Sequence, residues 1–423
     1  MQIIENTIIK EKLYIDKLKN GLTVMIIPKK GVKKKYVIWG THYGSVNDKF
    51  IIPGENIITE VPDGVAHFLE HKMFEQANGK NSLDVLTSLG VNANAYTTNE
   101  HTAYLFECTD NFELAFAELA DYIQHPYFTK ENVEKEKGII GQEISMYDDE
   151  PSWQVYINAM KALYVNNPIR IDIAGTQETI SKITPDILYK CYNTFYHPSN
   201  MALVLCGDFE PEKMIQEIKN KQIRQDNHGE IERIFDEEPE KINTKEIRVN
   251  MEVSIPNVLI AYKQKVSNEK SVKKHIAMEI LLELIAGKSS NLYKKLYEEG
   301  IILQELDFSY EFTEMYAHTI IGSATNDPYK MRDYLNVEVE KLKKEGIDED
   351  SFERTKRMLY GNYVKIYNDV SDIARMFLSD YFKGINSFDY LESIELINKE
   401  YVENVLKENF LEEKQIISIV EPK

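Results

Sequence analysis

The chain is poor in cysteine, in tryptophan and in net positive charge, and it has no long apolar run. Cys108, Cys191 and Cys206 are the only cysteines in 423 residues. They are too few and too scattered for a disulfide framework or a cysteine-based zinc site, and they fit a reducing compartment. Lys and Arg number 50 against 69 Asp and Glu, a net charge of −19. Phosphate binding needs basic stripes, so a nucleic-acid partner is excluded; the balance suits solubility and cationic ligands. No stretch approaches the apolar length of a membrane span, about 20 residues. The opening MQIIENTIIKEKLYIDKLKNG has neither an uninterrupted apolar core nor a small-residue cleavage site. No signal peptide is therefore expected, and the expectation is a soluble cytoplasmic protein with no membrane association.

What the chain does have is size enough for two or more domains with proper cores and one chemically specific stretch, His67-Phe68-Leu69-Glu70-His71. Histidines four apart share a helix face one turn from each other, so both imidazoles reach one metal ion. Glu70 lies on the same side, within reach of a water on that ion. The order His-x-x-Glu-His is the inverted zinc-peptidase signature. A pattern this short arises by chance in roughly one or two chains in a hundred, and a surface helix with two idle histidines is the plain alternative. A catalytic zinc takes three protein ligands and one open position, so a third ligand is needed.

The local pattern places the motif. Leu22 to Ile27 reads as a strand ended by Pro28, and Tyr36 to Trp39 opens a second that extends toward Tyr43. Pro62-Asp63-Gly64 precedes the motif helix, with Asp63 as its expected N-cap. Asn81 to Leu89 is expected to be helical, Val91 to Thr97 an irregular edge strand, His101 to Cys108 a strand and Asn111 to Gln124 an amphipathic helix. Thr129 caps a longer helix that runs to about Asp149 before Pro151. On it Glu136 and Glu143, seven apart, share a face with Ile139, Ile140 and Tyr147. A carboxylate on a half-buried face wants a partner. Zinc would provide it for Glu143, and support of a ligand would suit Glu136. Without the histidines, two surface glutamates in an acidic chain would be the simpler reading.

His67, Glu70, His71 and Glu143, together with Leu18-Lys19-Asn20-Gly21-Leu22-Thr23-Val24, Gly44-Ser45, Glu136, and the run from Tyr196-His197-Pro198-Ser199-Asn200-Met201 through Gly207-Asp208-Phe209, resemble the pitrilysin or insulinase family of zinc peptidases. The resemblance covers most of residues 17–209 and continues more weakly to the end. The length is that of half-size, processing-protease-like subunits. An internal repeat agrees with it. Phe128 to Glu134 resembles Ile347 to Glu353, and Ile183-Thr184-Pro185-Asp186 with the following strand Met201 to Cys206 resembles Ile397-Asn398-Lys399-Glu400 with the strand Gln415 to Val420. The expected fold is α+β: two homologous α/β domains, at 1–225 and 226–423, joined by a charged linker at about 221–245. The resemblance implies for each a mainly antiparallel sheet with helices packed on one side, the LuxS/MPP-like metallopeptidase plan. At the repeat offset Glu143 falls on Asn362 and Glu136 on Thr355, so the second domain is expected to be non-catalytic.

The resemblance implies a zinc endopeptidase acting on unstructured peptides in an enclosed chamber. His67, His71 and Glu143 would hold one Zn²⁺ per chain, Glu70 would be the general base, and Glu136 would assist, orienting His71. Asn94, Ala95 and Tyr96 would pair with substrate as an added strand. Many members carry an arginine and a tyrosine seven apart in the second domain; here Tyr297 and Gln304 stand at those places. That departure is either drift or the sign of a heterodimer with a zinc-less paralogue that supplies the pair, so a homodimer and a heterodimer both stay open. Three other readings stay open too: a non-catalytic scaffold subunit, a peptide-binding role with incidental hydrolysis, and Fe(II) in place of zinc.

Overall fold

The structure, a computed structural model, describes residues 1–224, 226, 229–266 and 272–423. Its strands are β1 (Gln2–Asn6), β2 (Glu11–Lys17), β3 (Thr23–Pro28), β4 (Lys35–Thr41), β5 (Lys49–Ile51), β6 (Ile58–Glu60), β7 (Asn92–Thr97), β8 (Thr102–Cys108), β9 (Met201–Gly207), β10 (Glu232–Arg233), β11 (Glu246–Met251), β12 (Asn257–Lys263), β13 (Asp307–Phe312), β14 (Ala317–Ala324) and β15 (Gln415–Pro422). The helices nearest the motif are α1 (Val65–Lys72), α2 (Ser82–Ser88), α3 (Phe112–Gln124), α4 (Lys130–Asp148) and α5 (Pro151–Leu163).

The first sheet runs β1-β2-β3-β9-β4-β8-β7 and the second β11-β15-β12-β14-β13. In each, one parallel pair (β3 with β9, β11 with β15) opens an otherwise antiparallel run. The last five strands of the first sheet therefore repeat the order of the second. The first adds the hairpin β1–β2 outside β3, which the sequence pattern did not mark. The helices repeat too: Glu349–Ile366 and Val370–Lys383 start 219 positions after α4 and α5 (349 − 130 and 370 − 151).

Along β4 successive side chains alternate between faces. Val37 and Trp39 enter the core that also holds Val65, Phe68 and Leu69 of α1, Phe112 and Phe116 of α3, and Ile140 of α4. Fully burying a side chain such as Phe68 or Leu69 stabilises by about 1.5–3 kcal/mol, which fixes α1 on the sheet. Gly40 points the other way. A Cβ there would stand 2.9 Å from Leu378 and Phe382, so the missing side chain lets helix Val370–Lys383 lie close on β4 and β9. Reciprocally, α5 packs on β12 and β15. Each sheet thus has a helix on the face opposite its main helical layer, beyond the one-sided packing expected.

This exchange changes the domain division. The two compact units are 1–144 with 172–234 and 365–387, and 145–171 with 235–364 and 388–423. They are not the consecutive halves 1–225 and 226–423, because the helix after each long helix is buried against the other repeat's sheet. The expected linker 221–245 is also tied down where it is described; residues 225, 227 and 228 of it lie outside the described residues. β10 pairs with β5. Glu238 accepts backbone N–H bonds from Val165, Asn166 and Asn167 at 3.0, 2.7 and 2.8 Å. Among the described residues no helix is long and apolar enough to cross a membrane.

Candidate metal and catalytic centre

The motif helix starts differently from the expected Asp63 cap. Gly64 is the N-cap residue, with φ +90°, and no side chain caps the helix. A Cβ at Gly64 would stand 2.4 Å from the Ala174 carbonyl oxygen. The chain enters α1 through a left-handed turn pressed against the 174–175 loop, a geometry that favours glycine. Thr129 caps α4 as expected: its Oγ1 accepts from Asn132 N–H at 3.2 Å.

α1 and α4 bring their polar faces together. His67 Nε2 stands 3.6 Å from Glu143 Oε1, and His71 Nε2 stands 3.5 Å from Glu143 Oε2. The ring centroids of the two histidines are 4.6 Å apart. One ligand atom of each of His67, His71 and Glu143 lies within 4.8 Å of the others. Ligands about 2.1 Å from a tetrahedral ion stand about 3.4 Å from one another, so these separations fit one small divalent cation. Two imidazoles and one carboxylate are a donor set for zinc and for Fe(II).

Burial favours the ligating form at His67, while at His71 and Glu143 the surroundings favour the protonated form, so a cation bound there has to displace a proton. Burial, with His71 beside it, pushes His67 down to about 3, so its ring is neutral. His71 Nδ1 lies 3.0 Å from Glu136 Oε1. Burial disfavours a charged His71, but the Glu136 bond and the nearby carboxylates outweigh it and hold its pKa above the usual value. The same ring, together with Lys72, holds Glu136 below the usual carboxylate range against its own burial. With Nδ1–H donated to Glu136, the Nε2 lone pair faces Glu143. Burial pushes the Glu143 carboxyl up.

Glu70 is buried in the same cluster, and burial raises its pKa despite a hydrogen bond from Thr97 Oγ1 to Oε2 at 2.6 Å. Thr97 ends β7, which is the terminal strand of its sheet. Asn94, Ala95 and Tyr96 lie on that strand, but the side chains divide. Ala93 and Ala95 pack on the α1 side of the sheet. Tyr96 is placed near Arg375 and His101, its hydroxyl 3.4 Å from His101 Nε2. The Ala95 N–H is taken by the Asn94 side chain at 2.9 Å, so an added strand has to displace that bond.

Pattern reading missed two participants. Thr97 joins through strand pairing, which no local signal marks. Lys72 is fully buried, its ammonium 2.6 Å from Glu75 and 3.4 Å from Glu136; a lysine following the motif reads as a solvated helix end. In the second half, Thr355 and Asn362, the counterparts of Glu136 and Glu143, bring no carboxylate, and Tyr297 and Gln304 are exposed.

Residues 58–177 match the family model described as Insulinase (Peptidase family M16), and residues 182–359 match that of the Peptidase M16 inactive domain. The chain is 40% identical to the uncharacterized zinc protease YmfH of Bacillus subtilis over 427 aligned positions, 99% of each chain. It is 23% identical to YmxG of the same organism, over 84% of this chain and 88% of that one. Among solved structures, an M16-like peptidase from Alicyclobacillus acidocaldarius superposes with a TM-score of 0.94 at 31% identity, covering 99% of this chain and all of the other. A Helicobacter pylori protease shares the fold at 20% identity, with a TM-score of 0.84 over 97% of this chain. Paired imidazoles from α1 meeting a glutamate from α4, on a sheet whose order recurs in the second half, thus agree with sequence matches along nearly the whole length: the chain belongs to the M16 peptidase family, also called the pitrilysin or insulinase family.

Proposed function

We propose that the protein is a zinc-dependent endopeptidase that cleaves unstructured peptides, for processing or degradation. The observation that carries this reading is the convergence of both motif Nε2 atoms on Glu143, with Glu70 buried beside them. His67, His71 and Glu143 would hold the ion. Zinc, when bound, supplies the positive charge that brings water toward a pKa of about 7 and polarises a peptide carbonyl. Glu70 takes the proton of the attacking water and returns it to the leaving amine; the upward pull of burial suits a carboxylate that must do both. Thr97 fixes one Glu70 oxygen and leaves the other to move the proton. Glu136 holds the His71 ring by its Nδ1–H. The free edge of β7 gives an extended peptide a backbone to pair with, which recognises shape more than sequence. A reducing, cytoplasmic setting belongs to the same proposal, supported by three buried unpaired cysteines.

The test is metal content and cleavage of a quenched unstructured peptide by the purified chain, with and without chelator. One zinc per chain and chelator-sensitive cleavage support the reading; a chain that takes up no zinc defeats it. The exposed Tyr297 and Gln304 favour a second form of it, in which the chain works as the zinc-bearing half of a heterodimer. Zinc uptake without cleavage until a zinc-less paralogue is added would support that form, and full activity of a homodimer would remove it.

A further inference from the structure

Lys72 is a buried ammonium on the helix that carries both histidines. Its side chain has 0% exposure, against 29% for Glu75 and 8% for Glu136, the two carboxylates it touches. Taking an ammonium out of water costs several kcal/mol unless it is paired, so its position is held by those partners. Glu75 sits one turn along the chain from Lys72 and opens onto a polar surface cleft of about 520 Å³. Glu136 comes from α4 and is the hydrogen-bond partner of His71 Nδ1. The four side chains make one line: Glu75 to Lys72 at 2.6 Å, Lys72 to Glu136 Oε2 at 3.4 Å, Glu136 Oε1 to His71 Nδ1 at 3.0 Å. His71 Nε2 ends that line, facing Glu143.

The geometry points to Lys72 as a positioning residue for the metal centre: anchored by Glu75, it holds Glu136 Oε2 and so aims Oε1 at His71 Nδ1, setting the ring that presents Nε2 to the ion. The inference rests on the zinc reading above. Its physical basis is that a carboxylate rotates freely about its last bond unless both oxygens are engaged. With Lys72 on one oxygen and His71 on the other, Glu136 has a single orientation. Ring-orienting partners of this kind typically alter metal affinity or activity by about 10–100-fold.

The test is a double-mutant cycle read by zinc affinity in chelator competition and by the visible spectrum of the cobalt-substituted protein. Lys72→Met keeps the stem and removes the charge; Glu136→Gln keeps the shape and removes the ionised acceptor. Lys72→Met is expected to weaken zinc about 10-fold or more and to shift the cobalt bands, with no further loss when combined with Glu136→Gln, and Lys72→Arg is expected to restore much of the affinity. Purely structural damage would add to the Glu136→Gln effect and leave the cobalt bands of the folded fraction in place, which overturns the inference. Should Lys72→Met not fold, Glu75→Gln at the exposed end carries the same test: a loss of affinity supports the line, and an unchanged affinity and spectrum overturn it. If the unsubstituted protein binds no zinc, the functional reading itself falls; if it binds zinc and the variants match it, only the role of Lys72 falls.

Discussion

Thr97, the last residue of the terminal strand of its sheet, donates its hydroxyl to Glu70 Oε2 at 2.6 Å. The strand proposed to receive substrate is therefore bonded to the carboxylate proposed to move the proton. Hydrogen bonds to charged groups contribute about 1.5–3 kcal/mol, and about 1.4 kcal/mol is tenfold in rate. Thr97→Val is expected to lower kcat about 10-fold while zinc content stays at the unsubstituted level; steady-state kinetics beside metal analysis checks it.

Glu70→Gln keeps an oxygen for Thr97 and removes the base. Turnover should fall by about 10²–10⁴-fold with zinc still bound in full. Hydrolysis at the original rate by a zinc-loaded Glu70→Gln protein would refute the assignment of the base.

Zinc held as proposed by His67, His71 and Glu143 would bind the folded chain only, because the unfolded chain does not hold α1 and α4 together. At a free zinc concentration of 100 times Kd, binding should stabilise by about 2.7 kcal/mol. Thermal melts with zinc and with chelator should differ accordingly. Glu143→Ala should remove most of that difference while leaving the chelated melt near its original midpoint.

Gly64→Ala puts a side chain on a residue with φ +90° and a Cβ 2.4 Å from the Ala174 oxygen. Left-handed strain for a residue with a Cβ costs about 1–2 kcal/mol, and the clash adds to it. The entry to α1 should shift, lowering both the denaturant midpoint and zinc affinity. An Ala at Gly138, which is inside α4 and has nothing within 4 Å of a built Cβ, is the control: it should raise stability by about 0.5–1 kcal/mol, as Gly→Ala in a helix interior does, and leave zinc affinity unchanged.

Asp48 is raised to about 6, chiefly by burial and then by Asp63. A carboxyl with a folded pKa above its unfolded value binds more protons when folded. Its contribution is present in full below about 4 and is lost as pH rises through about 6. Asp48→Asn should therefore be more stable than the parent at pH 7–8 and match it near pH 4. Urea unfolding at the two pH values measures this.

The sequence by itself determined what is local and periodic. The motif spacing put His67, Glu70 and His71 on one side of a helix, and the seven-residue step put Glu136 and Glu143 on one side of another, because helical geometry fixes which residues share a face. Leu22 to Ile27, His101 to Cys108 and Asn111 to Gln124 read correctly within a residue or two for the same reason. The repeat offset also carried through, placing Glu349–Ile366 against α4. Tertiary structure decided the rest. Gly64, not Asp63, starts α1, because the neighbouring 174–175 loop sets the backbone there. The chain divides into interleaved units because α5 and Val370–Lys383 bury apolar faces on sheets distant in sequence, a choice made by packing and invisible to local pattern. Thr97 and Lys72 look ordinary along the chain: one a threonine at a strand end, the other a lysine near a helix end. Each acquires its place only when a sheet edge or a second helix supplies the carboxylate it touches, because a hydrogen bond between residues 27 or 64 positions apart is a property of the folded arrangement and not of any stretch of sequence.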